Sequence, residues 1–324
     1  MALTIFWNTR VNHLAEEILR VGTEKHRLVI SDHASASVLA QGVPDAGMEN
    51  ADVVFGQPAP EDCMRSQKLK WIEVSSAGYT RYDTADFFDS LRKRSVAFTN
   101  VSSVFADPCA QHVLAMMLAF SRQLLPSFRD QITDQSWHYD ERRYHSRLLT
   151  GQTVVMLGYG AIGRRLSTLL RPFGMNLYAV RRQQPAIDTD VTVVDFSSLD
   201  SLLAKADHIV NILPANDSTI GYCNAGFFSK CRPGVRFYNV GRGSTVDQRA
   251  LTGALRSGTL DCAYLDVTEV EPLPPDNDLW TLQNCFITPH TAGGRHDQDE
   301  ALVRHFLRNL ELFESQQPLI DRVV

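Results

Sequence analysis

The run Thr153-Val-Val-Met-Leu157 leads into Gly158-Tyr-Gly160-Ala161-Ile162-Gly163 and then Arg164-Arg-Leu-Ser-Thr-Leu-Leu170. Glycines at this spacing suit a turn that cradles a dinucleotide pyrophosphate. Gly158 permits the tight turn, Gly160 lets the backbone approach a phosphate, and Gly163 lets the following helix pack close. The helix start offers free N–H groups and a positive dipole end to that anion. A glycine-rich turn alone is common in α/β proteins. Here an apolar strand before it, a helix after it and a second strand at 176–180 favour the dinucleotide. That second strand ends in Val180-Arg181-Arg182, with no Asp or Glu until Asp188. An acidic residue there would hold a ribose 2′-hydroxyl, whereas arginine accommodates a 2′-phosphate. NADP(H) is therefore expected in preference, with NAD(H) possible; the bland alternative is two solvated arginines.

Three more stretches carry reactive groups. They are Asn239-Val240-Gly241-Arg242-Gly243, then Asp266-Val-Thr-Glu269-Val-Glu271-Pro272, then Thr288-Pro289-His290-Thr-Ala-Gly293-Gly294. Each follows a strand-like run, and ligands of doubly wound folds sit at the carboxyl ends of strands. An arginine, a carboxylate and a histidine would face one crevice. A guanidinium can grip the carboxylate and carbonyl oxygen of a 2-keto acid. A protonated histidine can donate to the alkoxide that hydride arrival creates, and a neighbouring carboxylate favours and orients the imidazolium. A lone histidine or Glu-Pro is usually structural. Arg242 between two glycines is harder to dismiss, because those glycines imply close backbone geometry around a charge.

The elements that must position these groups alternate along the chain. Short apolar runs at 3–7, 27–30, 53–56, 71–74 and 96–99 read as strands, with helical spacing at 13–21. In the second half, strands are expected at 153–157, 176–180, 192–194, 208–213, 235–240, 263–267 and 286–287. Helices are expected at 162–171, 198–206 and 248–257, with long amphipathic helices at 106–121 and 298–314. Continuous apolar runs separated by helix-sized segments fit parallel sheets buried on both faces. The expected fold class is α/β, with two doubly wound parallel-sheet domains. The final helix follows the last strand of the second unit, so it can return to the first and make that domain discontinuous.

Bulk properties agree. A chain of 324 residues suits two domains, and 44% hydrophobic with 21% charged residues is a globular balance. A net charge of −5 gives no reason to expect a nucleic-acid surface or an anionic membrane as partner. Six cysteines without a C-x-x-C pair indicate neither a zinc site nor a redox dithiol. The N-terminus, MALTIFWNTR, is not a signal peptide, and the longest apolar run, 113–120, falls short of a membrane span. A cytoplasmic protein without a metal is expected.

Together, GYGAIG, NVGRG, LDV…EVEP and TPH…GG make the chain resemble the D-isomer-specific 2-hydroxyacid dehydrogenase family along nearly its whole length. Val74-Ser-Ser-Ala77-Gly78-Tyr79 also looks like the family's loop for the substrate carboxylate. The resemblance implies Arg242 as the substrate-orienting cation, His290 as acid/base and Glu271, just before Pro272, as its partner. It places Asp266 at the nicotinamide carboxamide, Ala77 and Gly78 at the substrate, and Leu213, Pro214, Val240 and Gly293 along the cofactor. It implies a flavodoxin-like substrate domain at 1–101 with 296–324 and a Rossmann-type cofactor domain at 102–295. It also implies a homodimer through the cofactor domain, using the helix and arm of 106–149, with Trp137 reaching toward a neighbouring subunit. Arg181 in place of an acidic residue is similar to the NADPH-using glyoxylate and hydroxypyruvate reductase branch. Gln111 stands where the family often carries Glu, and no function follows from it. Two alternatives remain: a nicotinamide-responsive binding protein resembling the family's corepressors, and hydride donation by phosphite. Formate is disfavoured, because such enzymes usually carry Gln at position 271.

Overall fold

A computed structural model of the chain describes residues 2–35, 42–181 and 190–324. The chain divides into two units: Met1–Phe105 with Arg295–Val324, and Ala106–Gly294. In chain order the first unit contains β1 (Thr4–Thr9), α1 (His13–Gly22), β2 (Arg27–Ser35), β3 (Val53–Gly56), α2 (Pro60–Arg65), β4 (Trp71–Val74), α3 (Ala85–Lys93) and β5 (Ala97–Thr99). Then come α4 (Ser102–Ser121), α5 (Leu124–Thr133), α6 (Tyr139–His145), β6 (Thr153–Leu157), α7 (Ala161–Leu170), β7 (Asn176–Val180) and β8 (Thr192–Val194). The rest is α8 (Leu199–Leu203), β9 (His208–Asn211), α9 (Ala225–Phe228), β10 (Val235–Asn239), α10 (Gln248–Arg256), β11 (Leu260–Leu265), β12 (Cys285–Ile287) and α11 (Gln298–Glu314).

Both sheets are parallel, as continuous apolar strands predict: β3, β4 and β9 are buried at every position. The first sheet has the order β2-β1-β3-β4-β5. This is the flavodoxin-like order, which reverses between β1 and β3. The second sheet has the order β12-β11-β10-β9-β6-β7-β8. Numbered from β6, it is the dinucleotide-fold order with one added strand, and it reverses between β6 and β9.

α11 belongs to the first unit because its apolar face is buried there. Leu302, Val303, Phe306 and Leu310 share a core with Ile5, Trp7, Leu19 and Phe55. Trp71 stacks on Phe306 with ring centroids 5.3 Å apart. α1 starts at Asn12, whose Oδ1 accepts from the Ala15 N–H at 3.0 Å, a cap worth ~1 kcal/mol. The same core contains an ionic network. Glu73 on β4 is wholly buried and accepts from His305 Nδ1 at 3.0 Å, Asn309 Nδ2 at 2.6 Å and Thr99 Oγ1 at 3.0 Å. The other His305 nitrogen lies 3.3 Å from the Asp321 carboxylate. Burial disfavours the imidazolium, but the two carboxylates outweigh it and hold His305 up at about 9, against an ordinary 6.5. Because the folded-state value is the higher one, this stabilisation is full below pH 6.5 and is lost as pH rises through 9. Thermal melting at pH 6 and at pH 9.5 checks it: wild type loses Tm across the interval, and His305→Gln removes most of that difference.

In the second unit, α4 and α7 cover one sheet face and α8 to α10 the other. α4 departs from the amphipathic helix expected at 106–121. It begins at Ser102, where Asn100 Oδ1 accepts from the Ser102 N–H at 3.1 Å, and its apolar residues are not confined to one face. By composition it is long and apolar enough to cross a membrane, yet half of that stretch is buried. Ala110, Val113 and Met117 lie in the core, as a core helix requires. α5 and α6 form an arm that was not legible as helix; it leaves Phe128, Ile132, Trp137, Tyr144 and Leu148 exposed.

Candidate active site

The three glycines of the β6–α7 turn do three different things. Gly158 has φ +100°, and a Cβ there would lie 3.2 Å from the Ile212 carbonyl oxygen. Gly163 packs the helix onto the turn: its Cβ would lie 3.1 Å from the Gly158 oxygen. At Gly160 a Cβ would meet nothing within 4 Å. The turn therefore leaves an open cradle at the start of a ten-residue helix, where the first N–H groups, including those of Ala161 and Ile162, lack intrahelical partners. These residues fit a pyrophosphate. Leu213 and Pro214 follow β9, and Val240 follows β10 with its N–H on the Asn211 oxygen at 3.2 Å. Arg181 directly follows β7 and is half-buried, its N–H bonded to the Val194 oxygen at 3.1 Å. Arg182 and Asp188 lie outside the described residues.

Arg242 sits where the ends of β9, β10 and β11 converge. A Cβ on Gly241 would lie 2.7 Å from the Leu213 oxygen, and one on Gly243 only 1.8 Å from the Thr268 oxygen. The two glycines thus press the Arg242 segment against the β9 loop on one side and the β11 loop on the other. Thr245 Oγ1 donates to the Arg242 carbonyl at 2.6 Å and accepts from Asn211 Nδ2 at 2.7 Å. The guanidinium donates from Nη1 to the Gly241 oxygen at 2.7 Å. Burial lowers it from its ordinary value, offset by Glu271. Burial, with the Asp266 charge, pushes the nearby Cys109 thiol up to about 12. That thiol stays neutral beside the guanidinium.

β11 ends at Leu265, short of the expected 267, because the chain turns to present Asp266 to the next strand end. Leu265 pairs with Ile287, which puts Asp266 beside Thr288. Asp266 is buried, and its Oδ1 accepts from Thr288 Oγ1 at 2.6 Å, the Thr291 N–H at 2.8 Å and the Ala292 N–H at 3.0 Å. Its backbone oxygen accepts from the His290 N–H at 2.8 Å. The segment bearing His290, whose φ is +55°, is thus clamped from both sides. Tyr264 extends the clamp: its hydroxyl lies 2.7 Å from Thr288 Oγ1, and its ring stacks on His112 of α4 at 5.5 Å.

His290 Nδ1 lies 2.8 Å from Glu271 Oε2. A carboxylate only accepts, so Nδ1 carries the hydrogen and Nε2 remains for other chemistry. The other carboxylate oxygen accepts from the Thr268 N–H at 3.0 Å. Glu269 is exposed and Gly293 half-buried. Sequence reasoning missed Asn211, Thr245, Thr268, Tyr264 and Thr288, which hold the reactive groups. Their only signal was short polar or hydroxyl side chains clustered at strand ends.

In the first unit, Ala77 and Gly78 follow β4 and are half-exposed. Ser75 and Ser76 before them are buried.

Residues 114–292 match the model of the D-isomer specific 2-hydroxyacid dehydrogenase NAD-binding domain. That match spans more than half of the chain, and the chain belongs to the D-isomer specific 2-hydroxyacid dehydrogenase family, whose members are NAD(P)-dependent oxidoreductases. It is 33% identical to a human glyoxylate reductase/hydroxypyruvate reductase over 231 residues, 70% of this chain and 69% of that one. It is 30% identical to glyoxylate/hydroxypyruvate reductase B of Escherichia fergusonii, covering 83% of this chain and 79% of that one. A crystal structure of a D-isomer specific 2-hydroxyacid dehydrogenase from Xanthobacter autotrophicus, in complex with NADPH and MES, superposes with a TM-score of 0.83. It has 25% identity and covers 100% of this chain and 98% of that one.

Proposed function

We propose that this enzyme reduces a small 2-keto acid of the glyoxylate or hydroxypyruvate kind to the D-2-hydroxy acid, with NADP(H) preferred. The observation that carries the proposal is the Glu271–His290 pair, at 2.8 Å, on strand ends neighbouring the one that carries Arg242. The substrates named for the human and Escherichia relatives support the same reading. The unit of 106–294 binds the cofactor at the β6–α7 turn, with Leu213, Pro214, Val240, Asp266 and Gly293 along it. The unit containing Ala77 and Gly78 holds the substrate.

The reduced nicotinamide, when bound, supplies the hydride that the carbonyl carbon accepts. Arg242 grips the substrate's carboxylate and carbonyl oxygen in the fork geometry of a guanidinium. As negative charge grows on the carbonyl oxygen, His290 Nε2 gives it a proton and completes the hydroxyl. Glu271, itself held by Thr268, steadies the imidazolium that donates. Asp266 orients the histidine segment through three of its hydrogen bonds, and its Oδ2, which accepts from the Ala292 N–H at 3.0 Å, is the oxygen offered to a carboxamide.

Arg181 stands where a 2′-phosphate would be recognised, and the NADPH and NADP bound in two structural relatives support that choice. Assays of NADPH and NADH oxidation with glyoxylate, hydroxypyruvate, pyruvate and longer 2-keto acids test the proposal. NADPH gives the higher kcat/KM, and Arg181→Ala raises the KM for NADPH roughly tenfold, the loss of one charged hydrogen bond, while NADH is unaffected. NADH matching NADPH in the wild type overturns the cofactor assignment, and tight NADPH binding without turnover of any keto acid overturns the reaction. The exposed apolar side chains along α5, α6 and the following segment fit a homodimer interface, with Trp137, 90% exposed, reaching toward the neighbouring subunit, in a cytoplasmic enzyme.

A further inference from the structure

The segment after β4 has its carbonyl groups turned inward one after another. The Ser76 oxygen accepts from the Val101 N–H at 3.4 Å. The Ala77 oxygen accepts from Asn100 Nδ2 at 2.8 Å. The Gly78 oxygen accepts from Ser76 Oγ at 2.6 Å. In a trans peptide the C=O and the following N–H point in opposite directions, and these peptides are trans. Fixing the three carbonyls therefore turns the N–H groups of Ala77, Gly78 and Tyr79 away from Val101, Asn100 and the Ser76 hydroxyl, in residues that are themselves half-exposed. Successive N–H groups aimed to one side form an anion-binding concavity.

The donors that hold this arrangement come from neighbouring strand ends. Gln57 follows β3, and its Nε2 donates to Ser75 Oγ at 3.1 Å and to Ser76 Oγ at 3.0 Å. That leaves the Ser76 hydroxyl hydrogen for the Gly78 oxygen. Asn100 follows β5. Its Nδ2 serves the Ala77 oxygen, and its Oδ1 accepts from the Ser102 N–H at 3.1 Å and Ser102 Oγ at 2.8 Å. Gln57, Ser75, Ser76 and Asn100 are all buried. Buried amides cost free energy unless bonded; here the bonds they make aim backbone donors at the carboxyl ends of a parallel sheet, where ligands bind.

The geometry points to Gln57 and Asn100 as positioning residues that turn the N–H groups of Ala77, Gly78 and Tyr79 toward a carboxylate. The ligand is the planar carboxylate of a 2-keto acid, and the inference rests on the reading that this loop belongs to the substrate side. It goes further in placing the selectivity for a carboxylate on two side chains that do not touch the ligand.

Asn100→Asp separates this role from folding. It keeps the acceptor that caps α4 and removes the donor to the Ala77 carbonyl, facing that carbonyl with a carboxylate oxygen instead. Gln57→Met keeps the shape and removes the donor to both serines. The full-length protein is assayed for KM and kcat with glyoxylate, Ki of oxalate, Kd of NADPH and Tm. Either variant raises the glyoxylate KM and oxalate Ki roughly tenfold or more, as expected for misaimed donors to a charge, while kcat stays within about threefold. NADPH Kd is unchanged. A fall in Tm with KM and Ki unchanged in both variants means a structural role only and overturns the inference. If the wild type reduces no keto acid yet binds oxalate in an Asn100-dependent way, the proposed reaction fails and the anion site stands. If the wild type neither turns over nor binds oxalate, both fail.

Discussion

His290→Ala lowers kcat for keto-acid reduction by roughly two to four orders of magnitude, the usual contribution of a positioned general acid. Its KM for the keto acid changes little, and NADPH binds as before. The split follows from the geometry. Nε2 is the only ring nitrogen left after Nδ1 is committed to Glu271 at 2.8 Å, so the variant loses the proton donor and leaves the β6–α7 turn untouched. Steady-state kinetics and NADPH titration of both enzymes check the split. A His290→Ala enzyme that retains the wild-type rate removes the mechanism.

Arg242→Ala lowers kcat/KM for the keto acid by roughly 10²–10⁴-fold, the loss of two charge-assisted hydrogen bonds to the substrate. Most of this falls on KM, because the guanidinium grips the substrate carboxylate before and during the reaction; a smaller part falls on kcat, because the carbonyl oxygen gains charge as hydride arrives. Arg242→Lys recovers little, since an ammonium lacks the planar fork. The backbone stays in place in both variants: it is held by Gly241, Gly243, Thr245 and Asn239, independently of the side chain. Unchanged KM in Arg242→Ala would show that another group binds the substrate.

The elements were legible wherever hydrophobic runs are local. β3, β4, β6, β7 and β8 occupy the residues expected: β3, β4 and most of β6 are buried runs, and β7 and the edge strand β8 are short runs rich in β-formers. α4 was misjudged as amphipathic because its partners come from unit 2's sheet and from Tyr264, none of which periodicity reveals. The arm helices α5 and α6 were missed for a related reason. Their apolar residues remain exposed, so no single buried stripe marks them.

At the site, the glycines were readable because their roles are local. A turn at φ +100°, an open cradle and a helix packed on its own turn all lie within Gly158–Gly163. Gly241 and Gly243 announced close approaches, but not that Leu213 and Thr268 are the neighbours. From residue types alone, Asp266, Glu269 and Glu271 were equivalent candidates to face His290. The pairing of β11 with β12 separated them: it gives Asp266 the backbone of 290–292, gives Glu271 the imidazole and leaves Glu269 in solvent. Sequence by itself determined which groups could react and which runs form strands, since both depend on neighbours within a few residues. Only the tertiary structure decided how Asp266 and Glu271 divide between the backbone and the ring of the His290 segment and which way the peptides of 76–79 face. Those partners lie 19 to 25 residues apart or more, and sheet register, not local pattern, brings them together.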